Sequence, residues 1–303
     1  MVLFSNNVAL SEFVERAYAA LLTRKFSVIP ESFKEIDYGI SFKLDSAEDK
    51  KTISVSIYHT EKKGFSFVTK NPDVRSILNS LLTSTGVAGS DEAGKGDLFG
   101  PLVVCSFLLG EKENELLKLN IKDSKKLKNH EIIDIYRHIS KEHPSSFSLV
   151  RIMPERYNSF YKDLAGKGRN LNYMLAWAHS KALSGLIEKR SDIKKIIVDR
   201  FTENPVVNKI ITDAAGKIPV EFFVRAEQNP AVAAASIIAR ANYLISLKNI
   251  SETVLLGKFD LISGSGTGSD ELLAKIIDEF GTDITDRICK THFANLTKNL
   301  SVF

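Results

Sequence analysis

Cysteine and tryptophan are scarce, with two and one among 303 residues. Cys105 and Cys289 cannot build a disulfide framework or a four-cysteine zinc site, which suits a reducing compartment. Long hydrophobic runs are missing too. The longest apolar stretch, Leu98 to Leu109, is broken by Gly100, Pro101 and Ser106 and is too short to span a bilayer. The opening segment MVLFSNNVALSEF has no basic stretch leading into an apolar core, so no membrane association is expected and the cytoplasm is the expected location. Nor does one sign of charge dominate. The net charge is +4, and residues 1–85 carry 11 Lys and Arg against 10 Asp and Glu, with 30 against 27 in the remainder. No basic arm is therefore available to bind a polyanion by charge alone. The chain also lacks a fixed-period repeat and a long low-complexity tract, which excludes solenoids and arrays. What is present, 44% apolar and 26% charged residues, is the composition of a globular protein with a real core. The length suits one large domain or two modest ones.

Apolar residues at helical spacing predict a helix from Val8 to Leu22. Tyr38–Leu44, Thr52–Tyr58 and Gly64–Val68 alternate roughly and predict an antiparallel meander, closed by a helix from Pro72 to Leu82. This gives a small α+β domain over 1–82, with a small, uncharged linker at 83–89 that runs into the first strand of a second domain, 86–303. The second domain reads as α/β. Strands are predicted near 86–91, 101–109, 146–152, 194–199 and 219–224, and helices near 129–142, 170–190, 205–214, 230–249 and 270–280. Ser263–Gly268, rich in glycine, reads as a tolerated surface variant in preference to a flexible substrate-side loop.

The most informative segment is Gly89-Ser-Asp91-Glu92-Ala-Gly94-Lys95-Gly96-Asp97-Leu-Phe-Gly-Pro101. Glycines flanking a lysine let backbone N–H groups approach a phosphate or sugar closely. Gly89-x-x-x-x-Gly94-Lys95 nearly completes a P-loop, but Gly96 replaces the hydroxyl residue that would hold Mg²⁺, and Asp91 with Glu92 would repel a triphosphate. Acids beside phosphates make sense when hard cations lie between them, and that requires several converging carboxylates. Asp199 ends a β-branched strand, Ile196-Ile-Val-Asp199, at the place where a buried strand displays an acid. Glu227 stands just before a helix capped by Asn229 and opened by Pro230. Ala231, Ala234, Ala235, Ile238 and Ala239 form a mostly small face that would let this helix pack closely. On a regular strand Asp91 and Glu92 would point to opposite faces, so the strand is expected to end there. His179 is expected to pack or hydrogen-bond, and His292 to be structural or near the active-site rim; neither is assigned to metal.

Together these segments, with Asp123-Ser-Lys-Lys-Leu127, Asn170-Leu-Asn-x-x-Leu-Ala-Trp-Ala-His179, Ala231-Val-Ala-Ala-Ala-Ser-Ile-Ile-Ala-Arg240 and His292-Phe-x-x-Asn-x-Thr, resemble the type 2 ribonuclease H family, and specifically its ribonuclease HIII branch. The likeness covers about residues 86–297. It implies a ribonuclease H-like mixed sheet flanked by helices, preceded by a small domain like the TATA-box-binding-protein fold that helps grip substrate. It also implies an endonuclease that cleaves the RNA strand of RNA–DNA hybrids and leaves 5′-phosphate and 3′-hydroxyl ends. The family's four acidic ligands map onto Asp91, Glu92, Asp199 and Glu227, the catalytic and metal-binding set. Two divalent ions, Mg²⁺ or Mn²⁺, roughly 3.5–4 Å apart and bridged by Asp91, would serve the reaction. By the same resemblance Gly94, Lys95 and Gly96 would recognise ribose 2′-hydroxyls, and Ser124, Lys125 and Lys126 would hold phosphates. The hybrid is the expected partner; no obligate protein partner is implied, and a monomer is expected. The competing readings are ribonuclease HII-like incision at single ribonucleotides and a non-catalytic hybrid-binding protein.

Overall fold

The computed structural model describes residues 7–22, 26–46, 51–60, 64–82, 86–110 and 127–296. The chain divides into two compact units, Met1–Ser84 and Thr85–Phe303.

In the first unit α1 (Val8–Leu22) and α2 (Pro72–Leu82) flank, in sequence, four strands: β1 (Phe26–Ile36), β2 (Gly39–Ser46), β3 (Thr52–Thr60) and β4 (Gly64–Val68). The strands pair in chain order and antiparallel throughout. Leu10, Phe13, Val14, Ala17 and Leu21, spaced three or four apart on α1, share a buried core with Val74, Ile77 and Leu78 of α2 and with Ile40, Phe42, Leu44, Val55 and Ile57 of the sheet. The meander expected from Tyr38 onward thus has a fourth, edge strand in front of it. Pro30 lies in β1, and the register shifts between Ile29 and Lys34. A proline at a bulge breaks the alternation that marks a strand, and an edge position tolerates it.

The second unit holds a mixed five-stranded sheet in the order β7 (Phe147–Ile152), β6 (Leu102–Leu109), β5 (Val87–Ala93), β8 (Lys195–Asp199), β9 (Val220–Phe223). The first three are mutually antiparallel, and β5, β8 and β9 run parallel. Both faces are covered, so β6 is buried at every position. On one face α7 (Pro230–Thr253) and α3 (Asn129–Glu142) pack against Val87, Val103 and Phe107. On the other lie α4 (Pro154–Ala165), α5 (Leu171–Ile187) and α6 (Pro205–Ala215). The helices α8 (Thr267–Phe280) and α9 (Thr285–Ile288) follow.

Helix α4 was not among the expected elements. Only Pro154, Tyr157 and Leu164 of it are buried, too few for a clear periodicity. In α7 the expected cap is present: the Asn229 side chain accepts from the Ala231 N–H, and Pro230 opens the helix. Its small face does pack closely. A Cβ at Gly89 would lie 2.2 Å from the Val232 nitrogen, so α7 rests directly on the backbone of β5.

Candidate active site

Strand β5 pairs with β8 only from Val87 to Ser90, whereas on its other edge it stays paired with β6 through Ala93. The strand therefore does not end at the acids, contrary to expectation. Asp91 and Glu92 lie opposite Cys105 and Val104, and only the β8 side is released. The cleft opens there, at the carboxyl ends of parallel strands, where Asp199 is the last residue of β8.

The alternation of a regular strand persists through the acids. Gly89 and Asp91 face α7, where the Ser236 hydroxyl hydrogen-bonds the Asp91 carboxyl. Ser90 and Glu92 face α5, where both meet His179. On the α7 side, two strand residues advance about 6.7 Å while four helix residues advance about 6 Å, so Val232 and Ser236 stay in step with Gly89 and Asp91. His179 is fully buried, with Nδ1 2.8 Å from Ser90 Oγ, Nε2 3.3 Å from Glu92 Oε2, and its ring stacked on Phe201 at 5.2 Å. The expected hydrogen-bonding role holds, and its target is a carboxylate of the cleft.

The glycine-rich turn follows. Gly94 has φ +88°, and a Cβ there would come within 2.2 Å of the Pro101 carbonyl oxygen, so no other residue fits. Lys95 Nζ stands 3.5 Å from Glu92 Oε1 and 5.6 Å from the Phe201 ring centroid. Gly96 differs from Gly94: nothing lies within 4 Å of its would-be Cβ, and it is exposed.

These surroundings split two adjacent carboxyls. Burial pushes Asp91 well above the ordinary carboxylate range, and the charges of Glu92 and Asp199 add to that rise. Burial acts the same way on Glu92, but the hydrogen bond and charge of His179, with Lys95, outweigh it and hold Glu92 below its ordinary value. Asp199 is raised, first by burial and then by Glu92 and Glu227, although the Ala226 N–H donates to its Oδ1 at 2.8 Å.

A cleft of about 610 Å³ is lined by Asp91, Glu92, Gly94, Lys95, Gly96 and Asp199, with Asn129, Ser236 and Arg240 among the other walls. Glu227, in a short 3₁₀ turn over Ala226–Gln228, does not line this cleft, yet it is near enough to raise Asp199. Ser124, Lys125 and Lys126 lie outside the described residues. Sequence reasoning missed His179 as a partner of Glu92, and missed Ser236 and Arg240, whose i, i+4 spacing on the helix lying over Gly89 was the available signal. Ser263–Gly268 lies mostly at the surface, as expected, but it is anchored. The Gly264 N–H donates to Asp97 Oδ1 at 2.6 Å, the Leu98 N–H to the Gly264 carbonyl at 3.0 Å, and Arg240 to Ser263 Oγ at 3.1 Å. That loop is pinned to the wall of the cleft.

Three carboxyls crowd a cleft that Lys95 and Arg240 also line, and the mutual repulsion that helps raise Asp91 and Asp199 is one that a divalent cation would offset. Among the described residues no group of three or more His, Cys, Asp and Glu is gathered closely enough to hold a metal ion as the side chains stand. Asp91, Glu92 and Asp199 offer carboxylate oxygens in the cleft, the ligand type a hard divalent ion takes while keeping several waters.

A mixed sheet carrying acids at a parallel-strand edge beside a Gly-Lys-Gly turn defines a hydrolase of the ribonuclease H class. A family model described as Ribonuclease HII matches residues 88–296. Ribonuclease HIII of Listeria monocytogenes serotype 4b (strain F2365) is 35% identical over 241 residues, covering 77% of this chain and 75% of its own. Ribonuclease HIII of Bacillus subtilis (strain 168) is 36% identical over 234 residues, covering 76% and 72%. Among solved structures, that of Bst-RNase HIII in complex with Mn²⁺ matches with a TM-score of 0.67 at 25% identity, covering 94% of each chain. The chain belongs to the ribonuclease HIII family.

Proposed function

We propose that this protein is an endoribonuclease that cleaves the RNA strand of RNA–DNA hybrids, with Asp91, Glu92, Asp199 and Glu227 as catalytic and metal-binding residues. The observation that carries the reading is the meeting of Asp91, Glu92 and Asp199 in one cleft with the Gly94–Gly96 turn. Two divalent cations, Mg²⁺ or Mn²⁺, held by these acids would supply Lewis-acid stabilisation of charge on the phosphate and ease deprotonation of the attacking water. Hydrolysis breaks the bond from phosphorus to the 3′ oxygen and leaves 5′-phosphate and 3′-hydroxyl ends.

The protein's own residues bind and orient. The Ala226 N–H fixes one oxygen of Asp199, and His179 with Lys95 fixes Glu92. The open space over Gly96 lets a ribose approach the backbone, where a 2′-hydroxyl separates RNA from DNA. Among the described residues Lys95 and Arg240 line the cleft as cations, and both are assigned to phosphate contact. Ser124, Lys125 and Lys126 are assigned to phosphate contact by the family motif alone. The first unit is assigned to gripping the hybrid, the role its resemblance to the TATA-box-binding-protein fold implies. One copy supplies every assigned residue, so a monomer suffices, which size-exclusion chromatography tests.

The deciding experiment incubates a labelled hybrid carrying a run of ribonucleotides and a DNA duplex carrying one, each with Mg²⁺ or Mn²⁺. Cutting confined to the hybrid is expected. Robust incision at the lone ribonucleotide would move the protein to a ribonuclease HII-like activity, and cutting of neither would leave hybrid binding without catalysis.

A further inference from the structure

Lys290 has no exposed surface. Its ammonium donates to the carbonyl oxygens of Asp97 at 2.8 Å, Gly100 at 2.9 Å and Phe99 at 3.3 Å, three acceptors for its three N–H groups. Its backbone N–H donates to the Leu98 carbonyl at 2.9 Å, and Cys289 bridges Phe99. Tyr157 presents its ring 5.7 Å away. Burial pulls the ammonium's pKa down, and both the attraction of Asp97 and the three carbonyl acceptors favour the charged form.

A buried cation is costly, and methionine would fill a similar space without that cost. The cation is therefore best explained by what it holds. Its three carbonyls all belong to Asp97–Gly100, the segment that completes the turn carrying Gly94, Lys95 and Gly96. The same segment is gripped from other sides, by Tyr243 Oη donating to Phe99 O at 3.2 Å and by the Gly264 N–H on the Asp97 carboxylate. The Asp97 N–H closes the turn on the Gly94 carbonyl at 3.4 Å.

We propose that Lys290 is a positioning residue for substrate selection, its ammonium gathering the carbonyls of Asp97, Phe99 and Gly100 so that the Gly94–Lys95–Gly96 backbone is held in the form that meets the ribose of the RNA strand. The proposal rests on the reading of that turn as the substrate-contacting one. Lysine is required because a single side chain must present three diverging donors to three backbone oxygens. Arginine carries a planar fork and glutamine has only two N–H donors.

The test uses the full chain with Lys290→Arg, Lys290→Gln and Lys290→Met. Amide hydrogen exchange is followed at residues 94–100 without substrate. Binding to an RNA–DNA hybrid and to a DNA duplex of the same sequence is measured with cleavage blocked by a chelator. In Lys290→Met, exchange at 94–100 should quicken, and the hybrid-to-duplex affinity ratio should fall roughly tenfold with duplex affinity unchanged. Lys290→Arg and Lys290→Gln should fall between it and the parent. Unchanged exchange at 94–100 would overturn the proposal, as would equal weakening on both nucleic acids. Failure of all three variants to fold would make Lys290 a folding residue and overturn it too. If the parent itself binds hybrid no better than duplex, the substrate reading of the turn fails, while exchange still reports whether Lys290 holds it.

Discussion

At the scale of single residues, Asp91 and Glu92 are adjacent in the chain and opposite in electrostatics. Asp91 is raised by burial and by its acidic neighbours, and Glu92 is lowered by His179 and Lys95. The folded-state value of Asp91 lies above the unfolded value near ~3.9. Folded protein thus binds more protons than unfolded over the interval between them. The stability that protonated Asp91 contributes at acid pH is lost as pH rises through that interval. In a chelator, Asp91→Asn should therefore melt above the parent at neutral and alkaline pH, by about 2–4 °C per kcal/mol relieved, and the gap should close toward pH ~4. Calorimetry across pH checks this. The same variant should lose cleavage while still binding hybrid, and surviving activity would remove Asp91 from the proposed metal site. His179→Ala leaves Glu92 held by Lys95 alone. The divalent-ion concentration for half-maximal cleavage should rise about 10–100-fold, the usual cost of losing a residue that orients a ligand, and titration with Mg²⁺ or Mn²⁺ measures it.

At the scale of elements, the glycines of β5 and its turn do different work. Gly89 lets α7 lie on the strand, and Gly94 takes a positive φ under the Pro101 carbonyl. Gly89→Ala should cost about 3 kcal/mol through overpacking against backbone, visible in denaturant melts. Gly96 has open space around it and no positive φ. Gly96→Ala should keep the parent melting temperature and lose hybrid affinity, because the space is wanted by substrate. If Gly96→Ala binds hybrid as the parent does, this turn is not where the RNA strand approaches. The carboxyl edge of β5 also shows why the acids can share a cleft despite facing opposite sides. Release from β8 after Ser90 opens the sheet edge between them, while pairing with β6 keeps their alternation.

For the molecule as a whole, two units with separate cores make the first one removable in principle. Deleting residues 1–84 should raise KM for the hybrid about tenfold and leave kcat within the same range, since the proposed acids all lie in the second unit. Steady-state kinetics on the truncated protein decide it, and an unchanged KM would deny the first unit a part in gripping substrate. The near balance of charge also acquires a reason. A net +4 on 303 residues cannot hold a polyanion by field alone. On the proposed reading local placement would do so, with Lys95 and Arg240 on the walls of an acid-lined cleft.

The amino-acid order by itself determined the class of the fold, the two-part organisation it suggests and the four candidate acids, because strand and helix periodicities are local and because the Asp-Glu, Gly-Lys-Gly and Asn-Pro signals are contiguous. It left β1 hidden behind Pro30 and α4 behind its sparse apolar face. The partners of those acids were decided only by tertiary structure. His179 reaches Glu92 across 87 positions, the Ala226 N–H reaches Asp199 across 27, and Lys290 reaches the Asp97 carbonyl across 193. Such contacts leave no periodic trace. A histidine on a buried helix and a lysine beside a cysteine look ordinary until the sheet brings a carboxylate to one and three carbonyls to the other.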